Sequence, residues 1–324
     1  MHAIVGAGSI GLALGARLAR AGHSVRFVVR SENAARAIRD QGVTVEDPAS
    51  GESWRARADA CTELPAGEAG VVLLCVRTPD TGAAAGALAR SAPHATLVNV
   101  QNGVEGDAIA ARHFRRVLGA VIRHPCMRLA PNRVRALGAG RIAIGAHPSG
   151  GGSDVDAIAA ALRGAGYDVG VSQRIGDDRW LKLCFNLMST PNALVRPAEH
   201  ATRAFTEGKA RLLEEARDAL AAAGTAARSC DGRDRSLDQE IAFQRSALER
   251  GEAARALPIY NSLWVALSSG APLEADAYHR AIIALGARHG VATPTNERVL
   301  RGLERALREQ LGPESFAAAE LLGH

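Results

Sequence analysis

Short apolar runs alternate with helical periods through the first half of the chain. The runs at 2–5, 24–29, 43–46, 70–76, 96–100, 117–122 and 141–145 predict strands, and the stretches 9–21, 31–40, 80–91 and 105–113 predict helices. The run 70-GVVLLCV-76 is apolar almost without a break, as expected of a strand buried on both faces. Such an alternation predicts a parallel sheet covered by helices on each side. A glycine-rich loop, 148-PSGGGSD-154, leads into a helix at 154–164 and a last strand at 167–172. Beyond about residue 173 the strand signal fades. Long helical periods at 177–196, 203–223, 236–250, 257–269, 273–289 and 294–310 take over, and the polar tract 225–240 reads as a long connection. The expected organisation is therefore an α/β domain over 1–172 followed by an all-α domain over 173–324, and 324 residues are enough for two cores.

The first strand runs directly into 6-GAGSIGLALG-15. Gly6, Gly8 and Gly11 occupy the three glycine places of the dinucleotide-binding fingerprint. The first permits a tight turn, the second lets the backbone approach a pyrophosphate, and the third lets helix and strand pack closely. The helix that starts here offers free N–H groups and the positive end of its dipole to phosphate. The match carries weight because it sits in a strand–turn–helix context. A Rossmann-type domain binding a nicotinamide dinucleotide is expected, with Gly6, Gly8, Ser9, Ile10 and Gly11 at the cofactor.

The second strand, within 21-AGHSVRFVVR-30, indicates which dinucleotide. A chain selective for NAD usually ends this strand in Asp or Glu, which bonds the ribose 2′-hydroxyl. Here it ends in Arg30, followed by Ser31, and an arginine with a small hydroxyl suits a 2′-phosphate. NADPH is the expected cofactor, the competing reading being an arginine that merely faces solvent.

Composition narrows the field. Apolar residues make up 47% and charged residues 23%, an ordinary globular balance. The net charge is +5, but the basic residues are spread over predicted helices among acids, and no basic run is interleaved with stacking aromatics. Nucleic-acid binding is not expected. The five cysteines, Cys61, Cys75, Cys126, Cys184 and Cys230, are odd in number and form no CxxC, which suggests reduced thiols in a cytoplasmic protein, with Cys75 and Cys184 in the core. The histidines show no HExxH or similar pairing, so no metal is expected. No signal-peptide pattern and no membrane-length apolar run are present, so no membrane partner is expected either.

Three segments hold candidate chemistry. In 180-WLKLCFNLMSTPNAL-194 a helix apolar nearly all round is interrupted by Lys182 and Asn186 at i and i+4, with Ser189 and Thr190 a turn later. Buried polar side chains need partners, so such a stripe suits a cleft wall, unless Lys182 snorkels outward and Asn186 caps a neighbouring backbone. In 97-LVNVQNGVEG-106 an apolar strand ends at Gln101, Asn102 and Gly103. That is where open parallel sheets bind ligands, and also where a plain Asn-Gly turn would fall. In 258-PIYNSLWVALSSGAPLEADAYHRAI-282, Ser262 lies early in one helix. Glu274 follows a Gly-Ala-Pro break in the first turn of the next, where the helix dipole alone accounts for a glutamate.

In order and spacing these pieces resemble the ketopantoate reductase (2-dehydropantoate 2-reductase) family over nearly the whole chain. The resemblance rests on 6-GAGSIG-11, Arg30, 101-QNG-103, 138-GAGRIAIG-145, 182-KLCFN-186, Ser262, Leu273-Glu274 and 288-RHGVATPTN-296. It implies a Rossmann domain followed by a helical domain, with the active site between them. It also implies NADPH-dependent reduction of a small 2-keto acid to a 2-hydroxy acid, ketopantoate first among candidates, in pantothenate biosynthesis, by a monomer or homodimer. By position, Lys182 matches the catalytic lysine. Asn102, Asn186, Ser262, Glu274 and Thr190 match substrate contacts, and Arg77 and Asn102 join the cofactor set. The chain departs from the family pattern where Arg77 replaces a lysine, Thr190 an asparagine, Ala266 an aspartate and Leu273 a threonine. A paralogue acting on another keto acid or ketone therefore remains open, as does, from another class, a non-catalytic NADP(H) sensor.

Overall fold

A computed structural model describes residues 1–249, 261–270 and 273–323. The chain divides into two compact units, Met1–Asp178 and Arg179–His324.

The first unit is built as β1 (His2–Val5), α1 (Ser9–Arg20), β2 (Val25–Val28), α2 (Glu32–Gln41), β3 (Val43–Asp47), β4 (Glu52–Ala56), β5 (Asp59–Cys61), β6 (Val71–Leu74), α3 (Thr81–Ser91), β7 (Thr96–Asn99), α4 (Gly106–Ala110), β8 (Val117–Arg123), β9 (Cys126–Ala130), β10 (Arg133–Ala136), β11 (Arg141–Ala146), α5 (Ser153–Gly164) and β12 (Asp168–Val171). Eight strands form one sheet in the order β12-β11-β8-β7-β6-β1-β2-β5. The strands from β8 to β5 are parallel, as expected of a Rossmann-type sheet. β11 pairs antiparallel to β8, because the chain returns from β8 through a hairpin with no crossover helix. One face packs α1, α2 and α5 around Ile4, Phe27, Leu73, Val98 and Leu118. The other packs α3 and α4 around Val5, Leu74, Leu88 and Phe114. Each fully buried Leu, Ile or Phe contributes about 1.5–3 kcal/mol of apolar burial.

One expectation about the sheet needs correction. The strand at 43–46 does not join the main sheet. It belongs to a second, four-stranded sheet in the order β4-β3-β10-β9, which lies against α1. Strands β4, β5, β9 and β10 escape a pattern reading because they are short, and β4 and β9 are also largely exposed. β4 reads ESWRA with one buried residue, and β9 reads CMRLA with none. A four-residue alternation such as Arg133–Ala136 is too brief to separate from a loop.

The second unit is helical, as the pattern predicted. α6 (Ile175–Leu187) enters it and is followed by α7 (Ser189–Leu194), α8 (Arg203–Ala222), α9 (Leu237–Arg245), α10 (Ser262–Ser269), α11 (Ala275–His289), α12 (Pro294–Arg308) and α13 (Ala318–Leu322). The helix expected over 177–196 is two helices broken at Met188. Pro191 has no N–H to bond the Leu187 carbonyl, so the first helix ends there. α8 forms the centre, burying Phe205, Leu212, Leu213, Ala216 and Leu220 against α9, α11, α12 and α13. The polar connection leads into an N-terminal capping box in which Ser236 and Gln239 satisfy each other's backbone N–H, worth about 1 kcal/mol. Residue 250 of the helix expected over 236–250, residues 257–260 of the next, and the Ala271-Pro272 part of the expected break lie outside the described residues.

Candidate active site

In the first unit the register fixes where ligand chemistry can gather. Val5 lies opposite Val28 on one side and Leu74 on the other, and Leu74 lies opposite Asn99. The carboxyl ends of β2, β1, β6 and β7 are therefore level, and the segments that follow them carry Arg30, Gly6, Arg77 and Asn102. Sequence-distant candidates are thus placed along one edge of one sheet, outside the strands' carboxyl ends.

The glycine turn shows why each glycine is there. Gly6 has φ +102°, a conformation that L side chains rarely adopt, and a Cβ on it would lie 2.9 Å from the Cys75 carbonyl oxygen. A Cβ on Gly11 would collide with the Gly6 carbonyl oxygen, so this glycine sets the closeness of α1 to β1. Gly8 differs. Its φ of −77° suits any residue, and a Cβ there would have nothing within 4 Å. The fold itself does not require glycine at Gly8, so the open space fits a phosphate group brought against the start of α1. Ile10 packs against the core. The Ser9 hydroxyl accepts a bond from the Arg128 N–H on β9 (3.0 Å), which brings exposed Arg128 beside the turn. No local sequence signal marks Arg128, because its position depends on the second sheet.

Arg30 is exposed. Arg77 is exposed as well, with Asp80 3.9 Å away. Asn102 is half-buried and sits before Gly103, whose φ of +85° makes the turn. A buried polar set supports this turn and was not foreseen. The Gln101 amide donates to the Val76 carbonyl oxygen (2.8 Å) and its Oε1 accepts from the Thr81 hydroxyl (2.9 Å). Asn99 donates to Asp107 (2.8 Å). These bonds join the tips of β6 and β7 to the starts of α3 and α4.

In the second unit, α6 shows the expected stripe. Leu181, Leu183, Cys184 and Leu187 are buried, whereas Lys182, Phe185 and Asn186 are only half-buried, and Ser189 at the start of α7 shares that state. Ser262 is exposed as the first residue of α10. The cap of α10 is Asn261: its Oδ1 accepts from the Trp264 N–H (2.8 Å), while its Nδ2 donates to the Ser189 carbonyl oxygen (2.8 Å). One side chain therefore ties the start of α10 to the start of α7. Glu274 is the half-buried cap residue of α11, one position before the helix.

Thr190 sits apart from this face. It is fully buried, and its hydroxyl lies 3.0 Å from Nε2 of the equally buried His279. His279 Nδ1 lies 3.0 Å from Asn296 Oδ1. The Asn296 amide nitrogen donates to Glu215 (2.8 Å) and to the Leu212 carbonyl oxygen (3.2 Å), so its Oδ1 must accept from His279. The imidazole is thereby protonated on Nδ1, and Nε2 accepts from Thr190. Burial holds its pKa down to about 4, against the Asn296 bond. Glu215 also accepts from the Thr295 and Asn296 N–H groups (2.7 and 2.9 Å), capping α12. Sequence reading found neither His279 nor Asn296 as a partner of Thr190, since the positions are 89 and 17 residues from their partners.

The model of ketopantoate reductase PanE/ApbA matches residues 2–149, and that of its C-terminal domain matches residues 174–306. The 2-dehydropantoate 2-reductase of Caulobacter vibrioides is 32% identical over 308 residues, 94% of this chain and 98% of its own. The chain belongs to the ketopantoate reductase family. A 2-dehydropantoate 2-reductase of Halobacterium salinarum is 25% identical over 296 residues, 90% of this chain and 93% of its own. Among solved structures, the 2-dehydropantoate 2-reductase of Methylococcus capsulatus shares the fold with a TM-score of 0.77 at 23% identity, covering 96% and 97% of the two chains. A D-mandelate dehydrogenase shares it with a TM-score of 0.80 at 17% identity, covering 96% and 99%. Membership of the ketopantoate reductase family makes the chain one of a set of oxidoreductases. Among the described residues, no helix is long and apolar enough to cross a membrane, and no group of three or more His, Cys, Asp or Glu side chains could hold a metal ion.

Proposed function

We propose that the protein is an NADPH-dependent reductase of a 2-keto acid, with ketopantoate as the first substrate to test. The observation that carries this reading is the half-buried face of α6, where Lys182 and Asn186 stand one turn apart while Leu181, Leu183, Cys184 and Leu187 are buried. The match of the Caulobacter relative over almost the whole chain supports it.

The open space at Gly8 fits the cofactor's pyrophosphate, held by the N-terminal N–H groups of α1 with Ser9. Arg30 and Arg77 offer guanidinium donors to phosphate, and Arg30 at the end of β2 is suited to a 2′-phosphate. Asn102 serves the nicotinamide ribose or the substrate. Bound NADPH supplies a hydride to the keto carbon. Lys182 stabilises the negative charge that grows on the keto oxygen and delivers the proton from its ammonium. Asn186, one turn along the same face, orients the lysine and the ketone. Ser262 bonds the substrate carboxylate, and Glu274 accepts from a substrate hydroxyl. Thr190 supports the face from behind, through His279.

A second reading keeps the chemistry and changes the acid. Leu273 and Ala266 stand beside Glu274 and Ser262 without side-chain polar atoms, which favours a substrate less polar than ketopantoate. A panel of ketopantoate, other 2-keto acids and no acid, each with NADPH, tests both readings. Acid-dependent loss of NADPH absorbance supports the enzyme, and the ranking names the acid. NADPH binding without turnover on any of them would leave the sensor instead.

A further inference from the structure

Thr190 and Asn261 have neighbouring partners. Thr190 is held from inside by His279, and the adjacent Ser189 carbonyl is held from outside by Asn261. The bonds form a continuous line. Glu215 on α8 accepts from Asn296, Asn296 accepts from His279, and His279 accepts from Thr190. One residue back, the Ser189 carbonyl oxygen accepts from Asn261, whose Oδ1 caps α10 at the turn that presents Ser262. Every inner member is nearly or fully buried: Thr190, His279 and Asn296 are each 0% exposed. A buried network with each donor and acceptor matched has one geometry, and losing one member leaves another unsatisfied.

We propose that this relay is a positioning device, with Thr190, His279 and Asn261 setting where Ser262 stands relative to the Lys182–Asn186 face. The proposal rests on the reading of Ser262 as the carboxylate contact. Thr190 then contributes to substrate binding without touching substrate. Its hydroxyl is committed to His279, and its effect passes through one backbone carbonyl to the cap of α10. Among the described residues, α10 is also held by the Trp264 Nε1 bond to Glu314 (2.8 Å) and by buried Leu263, and the Asn261 bond registers its first turn against α7.

The experiment is a double-substitution cycle read in the KM for ketopantoate, with NADPH affinity as control. Thr190→Val keeps shape and removes the hydroxyl. Asn261→Asp keeps the cap acceptor and removes the donor to Ser189. Each is expected to raise the ketopantoate KM about tenfold, the effect of one lost buried hydrogen bond, with kcat and NADPH affinity within about twofold. Ser262→Ala is expected to raise the same KM. Adding either substitution to Ser262→Ala should then change KM by less than about twofold, since there is no serine left to position. If Thr190→Val fails to fold, Asn261→Asp carries the test. The relay is overturned if Ser262→Ala raises KM and both relay substitutions leave it unchanged, if the effects multiply independently, or if NADPH affinity falls equally. If Ser262→Ala itself leaves KM unchanged, the reading of Ser262 fails and the relay's role falls with it.

Discussion

Gly8 and Gly11 belong to one glycine motif but should fail in different ways when changed to alanine. At Gly11 the new methyl would strike the Gly6 carbonyl oxygen and sit 3.2 Å from Cys75 Cβ. Neither neighbour is the end of a flexible chain, so α1 must move off β1. Overpacking of this kind costs about 1–3 kcal/mol, which for a unit of this size lowers Tm by roughly 2–12 °C. At Gly8 the methyl meets nothing within 4 Å, and the backbone angle suits alanine. A poorer helix cap costs a few tenths of a kcal/mol or more, and the stiffer unfolded chain returns a similar amount, so Tm should hold within about 2 °C. The methyl does occupy the space assigned to the pyrophosphate, and removing that close approach should weaken NADPH binding at least about tenfold, roughly 1.4 kcal/mol. Thermal unfolding without cofactor and NADPH titration by fluorescence would read the two effects separately. The reasoning is refuted if Gly8→Ala binds NADPH as well as the parent chain, or loses binding only in step with Tm.

Three further outcomes follow from the structure. Arg30→Ala should raise the KM for NADPH about tenfold and leave that for NADH unchanged in steady-state assays, and an equal effect on both would return Arg30 to solvent. His279 is held to about 4 when folded and titrates near 6.5 when unfolded, so between these values the unfolded chain binds the extra proton and stability must fall as pH drops, by up to about 3 kcal/mol. Denaturant unfolding of the parent and of His279→Gln should show a smaller loss between pH 6.5 and 4 in the variant, and parallel curves would contradict this. Lys209 on α8 lies 4.5 Å over the Phe205 ring and 3.5 Å from Asn192 Oδ1, and burial pushes its ammonium down to about 8, against the Glu240 carboxylate. Relative to Lys209→Met, the parent should therefore gain stability as pH rises from 8 to 10.5, the buried thiols of Cys75, Cys126 and Cys184 being common to both chains and cancelling in the comparison, and the variant should be at least as stable at pH 7. A variant destabilised at pH 7 by more than about 1 kcal/mol would show that the buried amine is net favourable.

What the sequence revealed, and what it hid, divides along physical lines. The glycine turn was legible because its constraints are local: a positive φ at Gly6, a close contact at Gly11, and an apolar strand and helix on either side. The α6 stripe was legible because helical period alone places Lys182 and Asn186 on one face. The second sheet was not, since exposed strands such as β4 and β9 lack a hydrophobic signature. Gln101 reads as part of a turn until Val76 and Thr81, twenty or more residues away, are seen to hold it. Thr190 reads as one more polar residue of the stripe. Only the break at Met188, imposed by Pro191, and the distant imidazole of His279 show that its hydroxyl turns inward.

The central claim is that the Lys182 ammonium supplies charge stabilisation and a proton to the reduced ketone. It is tested most directly by comparing ketopantoate-dependent NADPH oxidation in the parent chain and in Lys182→Met, with NADPH affinity measured on the same samples. The account predicts a kcat lower by about two orders of magnitude or more with NADPH affinity unchanged. Turnover within a few-fold of the parent would contradict it.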